Sequence, residues 1–454
     1  MADTFDLIVL GGGTGGYAAA IRAATLGKSV ALVEHDKLGG TCLHRGCIPT
    51  KALLHSAEVF DEVREGSKFG INATATFDWD GVQGFKSSVV DQMTKGLTGL
   101  LKARKIDVVT GAGVMTSPTT VTVGERELTA ANIVVATGSA PKMIGGIERG
   151  NRVITSDEAL SLGVPKSAIV LGGGAIGVEF ASVWASFGAQ VTVVEMLPTL
   201  VPLEDADLGK ELAKQFKRRG ITSMTGAKLE EAKVTDHGVT AQISTDGKTE
   251  TVEAEVLLVA IGRGPVTTGI ENAGIALDQR GYVTVDANLQ TSVPGVYAVG
   301  DCIATPALAH VAFAEGMYVA ELLAGQNPLP INYDAVPRAT YCMPEVAAVG
   351  LTEAQARERG HDVVTSKVAL GHIGKAVILG TSGFCKLVSA KDGALLGAHF
   401  IGARVTELVA EAMLAVGWEA MPSEIAQFIH PHPTLTEAMG EAALALAGRP
   451  LHTM

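Results

Sequence analysis

Two cysteines, Cys42 and Cys47, stand in the segment Gly39-Gly40-Thr41-Cys42-Leu43-His44-Arg45-Gly46-Cys47-Ile48-Pro49-Thr50-Lys51. A close pair of thiols can trade two electrons with a dithiol, because a thiolate attacks and the products stay tethered. On an ideal helix this spacing separates the two Cα atoms by roughly 8–9 Å, at about 1.5 Å rise per residue. A disulfide tolerates only about 7 Å. If the pair bonds, Cys42 is therefore expected in a loop or a distorted first turn, with Gly46 supplying backbone freedom and Pro49 suiting an early helical position. Two unrelated buried cysteines are the plainer alternative, but the position just downstream of a dinucleotide fingerprint favours a redox pair. A second candidate is His430-Pro431-His432-Pro433-Thr434-Leu435-Thr436-Glu437. Histidines stiffened by prolines and followed by an acid suit an oriented imidazole base; an ordinary surface turn would also explain them.

The elements that must position these groups show an internal duplication. A strand-like run, Phe5 to Leu10, enters Gly11-x-Gly13-x-x-Gly16, then a helix from Ala18 to Leu26 and a strand from Ser29 that ends at Glu34. The same order recurs from Ala168 to Leu171, through Gly172-x-Gly174-x-x-Gly177 and a helix reaching Phe187, to a strand from Gln190 that ends at Glu195. Every landmark is displaced by one constant interval. Two such units, each with its terminal acid, are strong evidence for two dinucleotide sites. The glycines let the backbone approach a pyrophosphate, the helix N-terminus offers N–H groups to it, and Glu34 and Glu195 would accept from ribose hydroxyls. Met196, Leu197 and Pro198 follow Glu195 without an arginine, so the second site is expected to take NAD rather than NADP.

Buried-strand runs ending at Gly138 and at Gly262-Arg263 read as strands that close each nucleotide domain. A further buried strand ends at Gly300-Asp301, where the acid would face the ligand crevice or serve as a plain helix N-cap. From Glu345 onward, strand-like stretches (345–350, 363–368, 384–389, 395–401) precede a helical run from Arg404 to Gly417, an α+β pattern.

The 454 residues are too many for one core and predict about three domains. With 36 basic against 48 acidic residues and a net charge of −12, nucleic acid is not the expected partner. No apolar run reaches the roughly 18 residues of a membrane span. The first strand begins almost at Met1, leaving no expected room for a leader, so a reducing, cytoplasmic compartment is expected, where disulfides are catalytic. Cys302, Cys342 and Cys385 read as packing residues, and no Cys/His spacing predicts a metal.

With these pieces assembled, the chain resembles the flavin-dependent pyridine nucleotide–disulfide oxidoreductases over essentially its full length. The most specific pieces are GGTCLHRGCIPTKALL and HPHPTLTE. The family's redox motif usually carries Asn and a small or apolar residue where this chain has His44 and Arg45, a departure that bears on substrate preference. The resemblance implies an α/β fold of two Rossmann-like nucleotide-binding domains plus a C-terminal α+β dimerisation domain. Expected boundaries are 1–142 for the FAD domain with its redox disulfide, 143–265 for the NAD domain, 266–335 for a central domain completing the FAD site, and 336–454 for the dimer interface.

Carried over by motif, Cys47 would lie against the flavin and Cys42 would face substrate. Lys51 would approach the flavin ring with Glu179 as its partner, Asp301 would bind the ribityl chain, and Ala309 and His310 would lie near the flavin. His432, oriented by Glu437 and supported by His430, would serve as base on the other subunit's disulfide. The implied reaction is oxidation of protein-bound dihydrolipoamide with FAD and NAD as cofactors. Expected partners are a second copy and the lipoyl domains of 2-oxoacid dehydrogenase complexes or the glycine-cleavage H protein. Glutathione- or mycothione-type reductases of the same family are the nearest alternatives, although Glu195 argues against the NADP pocket of the first. A catalytically idle flavoprotein scaffold is the alternative of another class.

Overall fold

The computed structural model describes residues 3–452 and divides into two compact units. The first comprises Met1–Leu53, Asp80–Lys142 and Gly262–Tyr333. Its sheet runs Asp107–Thr110, Val30–Glu34, Asp3–Leu10, Arg126–Val135, Thr120–Val123, Gly113–Ser117, and Val296–Ala298 pairs alongside Arg126–Val135. The central pairings are parallel, with Leu7–Leu10 in register between Val30–Val33 and Asn132–Val135. These β-branched and leucine runs are buried on both faces, as a parallel sheet demands. The helix Thr14–Thr25 lies on one face with Ala18, Ala19, Ala20 and Ala23 buried, against the helix Ala309–Leu323. Small residues set that crossing: a Cβ added to Gly316 would lie 2.3 Å from the Gly15 carbonyl oxygen.

The second unit comprises Leu54–Trp79, Met143–Ile261 and Asp334–Met454. It contains a second parallel sheet in the order Thr222–Thr225, Gln190–Glu195, Ser167–Leu171, Val256–Val259, Val153–Ile154. A three-stranded antiparallel meander, Ala227–Thr235, Gly238–Thr245 and Lys248–Ala254, follows. The C-terminal portion is an antiparallel sheet ordered Arg338–Thr340, Glu345–Gly350, Leu395–Gly402, Phe384–Ala390, Val363–Ala369. The helices Val405–Gly417 and Glu437–Leu446 pack on it through Val405, Val409, Ala412, Met439 and Ala442. The fold class is thus the expected one, two Rossmann-like sheets and an α+β C-terminal region. Among the described residues, no helix is long and apolar enough to cross a membrane.

A charged cluster joins this C-terminal region to the start of the helix Ala206–Arg218. Lys386 is 5% exposed and pairs with Asp205 at 2.9 Å, Glu353 at 2.9 Å and Asp207 at 3.2 Å. Beside it His399, fully buried, shares a hydrogen bond of 3.0 Å between Nε2 and the Leu351 carbonyl, and its Nδ1 meets no polar partner. Burial drives the His399 pKa down to about 4, despite the opposing pull of Asp205. The imidazole is therefore neutral.

Candidate active site

Both nucleotide units position their acids by the same device. Glu34 Oε2 accepts from the Gly12 N–H at 2.7 Å and Oε1 from the Asp36 N–H at 2.8 Å. Glu195 accepts from the Gly173 and Leu197 N–H groups, each at 2.7 Å. Each carboxylate is thereby locked at the end of its strand and keeps lone pairs for ribose hydroxyls. Gly12 and Gly173, absent from the fingerprint as read from sequence, belong to the device. A Cβ at either would lie 3.1 or 3.0 Å from the acid's own Cβ. The signal was the middle glycine of each unbroken run, Gly11-Gly12-Gly13 and Gly172-Gly173-Gly174.

The fingerprint glycines have separable reasons. Gly11 and Gly172 turn with φ of +111° and +110°, a left-handed conformation that disfavours any side chain. Gly16 and Gly177 press helix to strand, since an added Cβ would fall 1.8 and 1.9 Å from the carbonyl oxygens of Gly11 and Gly172. Gly13 and Gly174 precede the helices Thr14–Thr25 and Ala175–Ser186, whose N-termini carry no side-chain cap. An added Cβ at Gly174 would meet nothing within 4 Å. The two cradles fit a dinucleotide pyrophosphate, with backbone N–H groups and the helix dipole aimed at open space.

In the first unit Cys42 occupies a first helical turn, one of the two placements expected of it, and not a loop. Cys42 lies in a six-residue helix, Gly40–Arg45, that Gly46 breaks with φ −145° and ψ −110° before Cys47 opens the helix Cys47–Glu65. A six-residue helix joined at a glycine to the 19-residue helix Cys47–Glu65 brings the sulfurs together where one continuous helix could not. The Cys42 thiol is hydrogen-bonded to Cys47. That bond, then burial and the charge on Cys47, pushes its pKa well above the ordinary thiol value against the pull of Lys51. Lys51, half-buried, stands one turn into the second helix. Tyr17, not singled out from sequence, is pushed up to about 12 by burial and by Cys42 and Cys47. Its place in the helix after the first fingerprint carried no signal for this.

Asp301 lies in the short turn Gly300–Cys302 and accepts from Ser139 Oγ at 2.6 Å. Ser139 accepts in turn from Arg263 Nε at 2.7 Å, and Arg263 reaches Thr41 Oγ1 at 3.5 Å. The strands Ser139–Pro141 and Arg263–Pro265, which directly follow Gly138 and Gly262, pair to build this relay. Ala309 and His310 open the helix Ala309–Leu323, with His310 exposed. Asp301 is thus a held acceptor rather than a helix cap.

In the second unit Glu179 is 4% exposed in the helix Ala175–Ser186 and accepts from the Tyr341 N–H at 2.9 Å. The structure brings His432 and Glu437 together: Nδ1 lies 2.8 Å from Glu437 Oε1, and Glu437 Oε2 accepts from the Thr434 N–H at 2.8 Å. Burial would raise the Glu437 carboxyl, but the bonds from His432 and Thr434 outweigh it and hold it below the usual range. The His432 side chain is 76% exposed, so Nε2 faces outward while Nδ1 is anchored. His430 pairs with Glu411 at 2.7 Å, a bond that raises its pKa, and rests on Gly440, where an added Cβ would lie 2.6 Å from its Nδ1. Cys302, Cys342 and Cys385 are fully buried, and no metal-ligating cluster occurs among the described residues.

Two dinucleotide cradles, a thiol pair and a carboxylate-anchored histidine define a class: oxidoreductases that pass electrons between a dithiol and a pyridine nucleotide. Residues 5–316 match the model of the pyridine nucleotide-disulphide oxidoreductases, and residues 336–443 match their dimerisation domain. A relative named dihydrolipoyl dehydrogenase from Bacillus subtilis is 45% identical over the whole of both chains. Another of that name from Zymomonas mobilis is 43% identical, again over the whole of both. The crystal structure of LpdA from Mycobacterium tuberculosis superposes with a TM-score of 0.89 at 27% identity, covering 98% of this chain and 100% of that one. The chain belongs to the pyridine nucleotide-disulphide oxidoreductase family, an FAD-dependent family of enzymes that react with NAD(H).

Proposed function

We propose that the chain is a dihydrolipoyl dehydrogenase that acts as a homodimer in the cytoplasm on lipoyl groups carried by other proteins. Those carriers are the lipoyl domains of 2-oxoacid dehydrogenase complexes or the glycine-cleavage H protein. The observation that carries the reading is full-length similarity to relatives of that name, joined to the hydrogen-bonded cysteine pair and the anchored His432. We assign residues 1–142 to FAD, 143–265 to NAD, 266–335 to completing the FAD site and 336–454 to the dimer interface.

In the cycle, His432 Nε2 takes a proton from one substrate thiol, and Glu437 steadies the imidazolium through Nδ1. The substrate thiolate attacks Cys42 of the Cys42–Cys47 disulfide, forming a mixed disulfide and expelling Cys47 as thiolate. Lys51 and the helix that starts at Cys47 favour that negative charge. The second substrate thiol then attacks the mixed disulfide, closing the cyclic product and returning Cys42 as a thiol. The bound flavin supplies two-electron transfer from the dithiol to NAD⁺. Glu34 and Asp301 would hold its ribose and ribityl hydroxyls, Ala309 and His310 would belong to the same site, and Glu195 would select the unphosphorylated nicotinamide dinucleotide. Lys51 would orient the ring. His432 stands exposed on a dimerisation domain, where it can serve the cysteine pair of a second copy.

The test compares steady-state turnover of dihydrolipoamide with NAD⁺ against turnover of NAD(P)H with glutathione or mycothiol disulfide. The reading expects the first to exceed the others by at least about 10²-fold; comparable or faster reduction of a low-molecular-weight disulfide would overturn it.

A further inference from the structure

His44 and Arg45 occupy the two positions between the cysteines at which this chain differs from the usual motif, and the structure pairs both with the segment 36–38. His44 Nε2 lies 2.8 Å from the Leu38 carbonyl oxygen, and Arg45 Nη1 donates to Asp36 Oδ2 at 2.6 Å. Leu38 and Asp36 belong to the connection that follows the strand Val30–Glu34. The same Asp36 gives its N–H to Glu34 Oε1. That connection is also tied to the fingerprint: the Gly39 N–H donates to the Gly12 carbonyl at 2.8 Å, and a Cβ on Gly12 would lie 3.2 Å from Leu38 Cδ2. Gly40 closes on Gly13, with an added Cβ 2.7 Å from its Cα. Residues 34–45 therefore form a closed circuit. Its near side is the fingerprint and the ribose-binding acid, and its far side is the two side chains of the redox segment.

We infer that His44 and Arg45 are positioning residues for the adenosine end of the flavin cofactor and not selectors of substrate. They brace the 35–38 connection, which in turn fixes Glu34 against Gly12. The inference rests on the assignment of the first fingerprint to FAD, and it makes the strength of flavin binding depend on the redox segment. Either bond alone is modest, because the Arg45–Asp36 pair is partly exposed, with side chains 41% and 34% accessible. Together the two contacts are expected to matter about fivefold to tenfold in the FAD dissociation constant.

The experiment prepares apoprotein of the wild type, H44L/R45A, H44Q/R45K and the charge exchange R45D/D36R, and titrates each with FAD by flavin fluorescence. KM for dihydrolipoamide is then measured at saturating FAD. The expected result is about fivefold to tenfold weaker FAD binding in H44L/R45A, recovery by at least half in H44Q/R45K, and near-recovery of the Arg45 contribution in the exchange variant. KM for the dithiol is expected to stay within about twofold throughout. Unchanged FAD affinity in H44L/R45A would overturn the inference, as would a KM shift above about threefold. Wild-type protein that binds FAD but fails to oxidise dihydrolipoamide would refute the proposed substrate alone, since the flavin titration does not depend on which dithiol is used.

Discussion

The chemistry of single residues turns on where protons reside. The Cys42 thiol is pushed up because Cys47 lies within hydrogen-bonding distance and burial resists charge. His432 is an exposed ring whose Nδ1 is tied to a carboxylate kept ionised by its own hydrogen bonds. Replacing Glu437 with Gln leaves a partner for the ring but removes the charge that stabilises an imidazolium. The E437Q variant should lower kcat for dihydrolipoamide by about 10- to 100-fold with little change in KM for NAD⁺. H432Q should cost about 10²–10⁴-fold in the dithiol half-reaction while FAD stays bound at wild-type stoichiometry. Stopped-flow measurement of flavin bleaching by dihydrolipoamide checks both, and wild-type rates in H432Q would remove the base assignment.

At the scale of elements, the fingerprint glycines separate ligand from fold. G177A must place a methyl group 1.9 Å from a carbonyl oxygen and should lower thermal stability, at a cost of about 1–3 kcal/mol or more. G174A meets no protein atom, so it should melt like wild type but raise KM for NAD⁺ about tenfold or more, which calorimetry and kinetics together resolve. The buried pair formed by Lys386 and Asp205 ties the segment before the helix Ala206–Arg218 to the C-terminal sheet. K386M would strand Asp205, which is 4% exposed, and should destabilise by about 3–5 kcal/mol, read as a lowered Tm. His399 sets a pH limit on the same sheet. Its folded pKa of about 4 lies below the unfolded 6.5, so the neutral ring contributes stability that is present above pH 6.5 and lost as pH falls from 6.5 through about 4. That loss amounts to about 3 kcal/mol. An H399Q variant should show a Tm that is flatter across that window; an unchanged slope would contradict the assignment. Much of this scale was legible in the chain itself. The strand 345–350 and the helix ending at Gly417 lie where apolar runs place them, because alternation and turn residues are local signals. The break at Gly46 between two helices, Tyr17 beside the thiols and the Ser139–Arg263 relay were not legible. Each depends on segments remote in sequence or on one glycine's dihedral angles.

For the whole molecule, the duplicated nucleotide units and the C-terminal region that matches a dimerisation domain divide the labour. The cysteine pair lies in the N-terminal unit, and His432 stands on the dimerisation domain. The account gives these two groups to opposite subunits of a dimer. Mixing inactive C47S protein with inactive H432Q protein should then restore activity in heterodimers, which carry one intact site, toward about a quarter of the wild-type value in a fully exchanged equimolar mixture, since about half of its dimers are hetero. A mixture that stays inactive after verified subunit exchange would place both groups in one subunit. The central claim is that a dihydrolipoyl dithiol passes two electrons through Cys42 and Cys47 to NAD⁺. It is tested most directly by anaerobic titration of the FAD-loaded protein with dihydrolipoamide, followed by NAD⁺. The account predicts a stoichiometric change in the flavin spectrum on adding the dithiol and then one NADH per dithiol oxidised, both abolished in C42S. A flavin spectrum unmoved by the dithiol in the wild type, or NADH formed equally well by C42S, would contradict it.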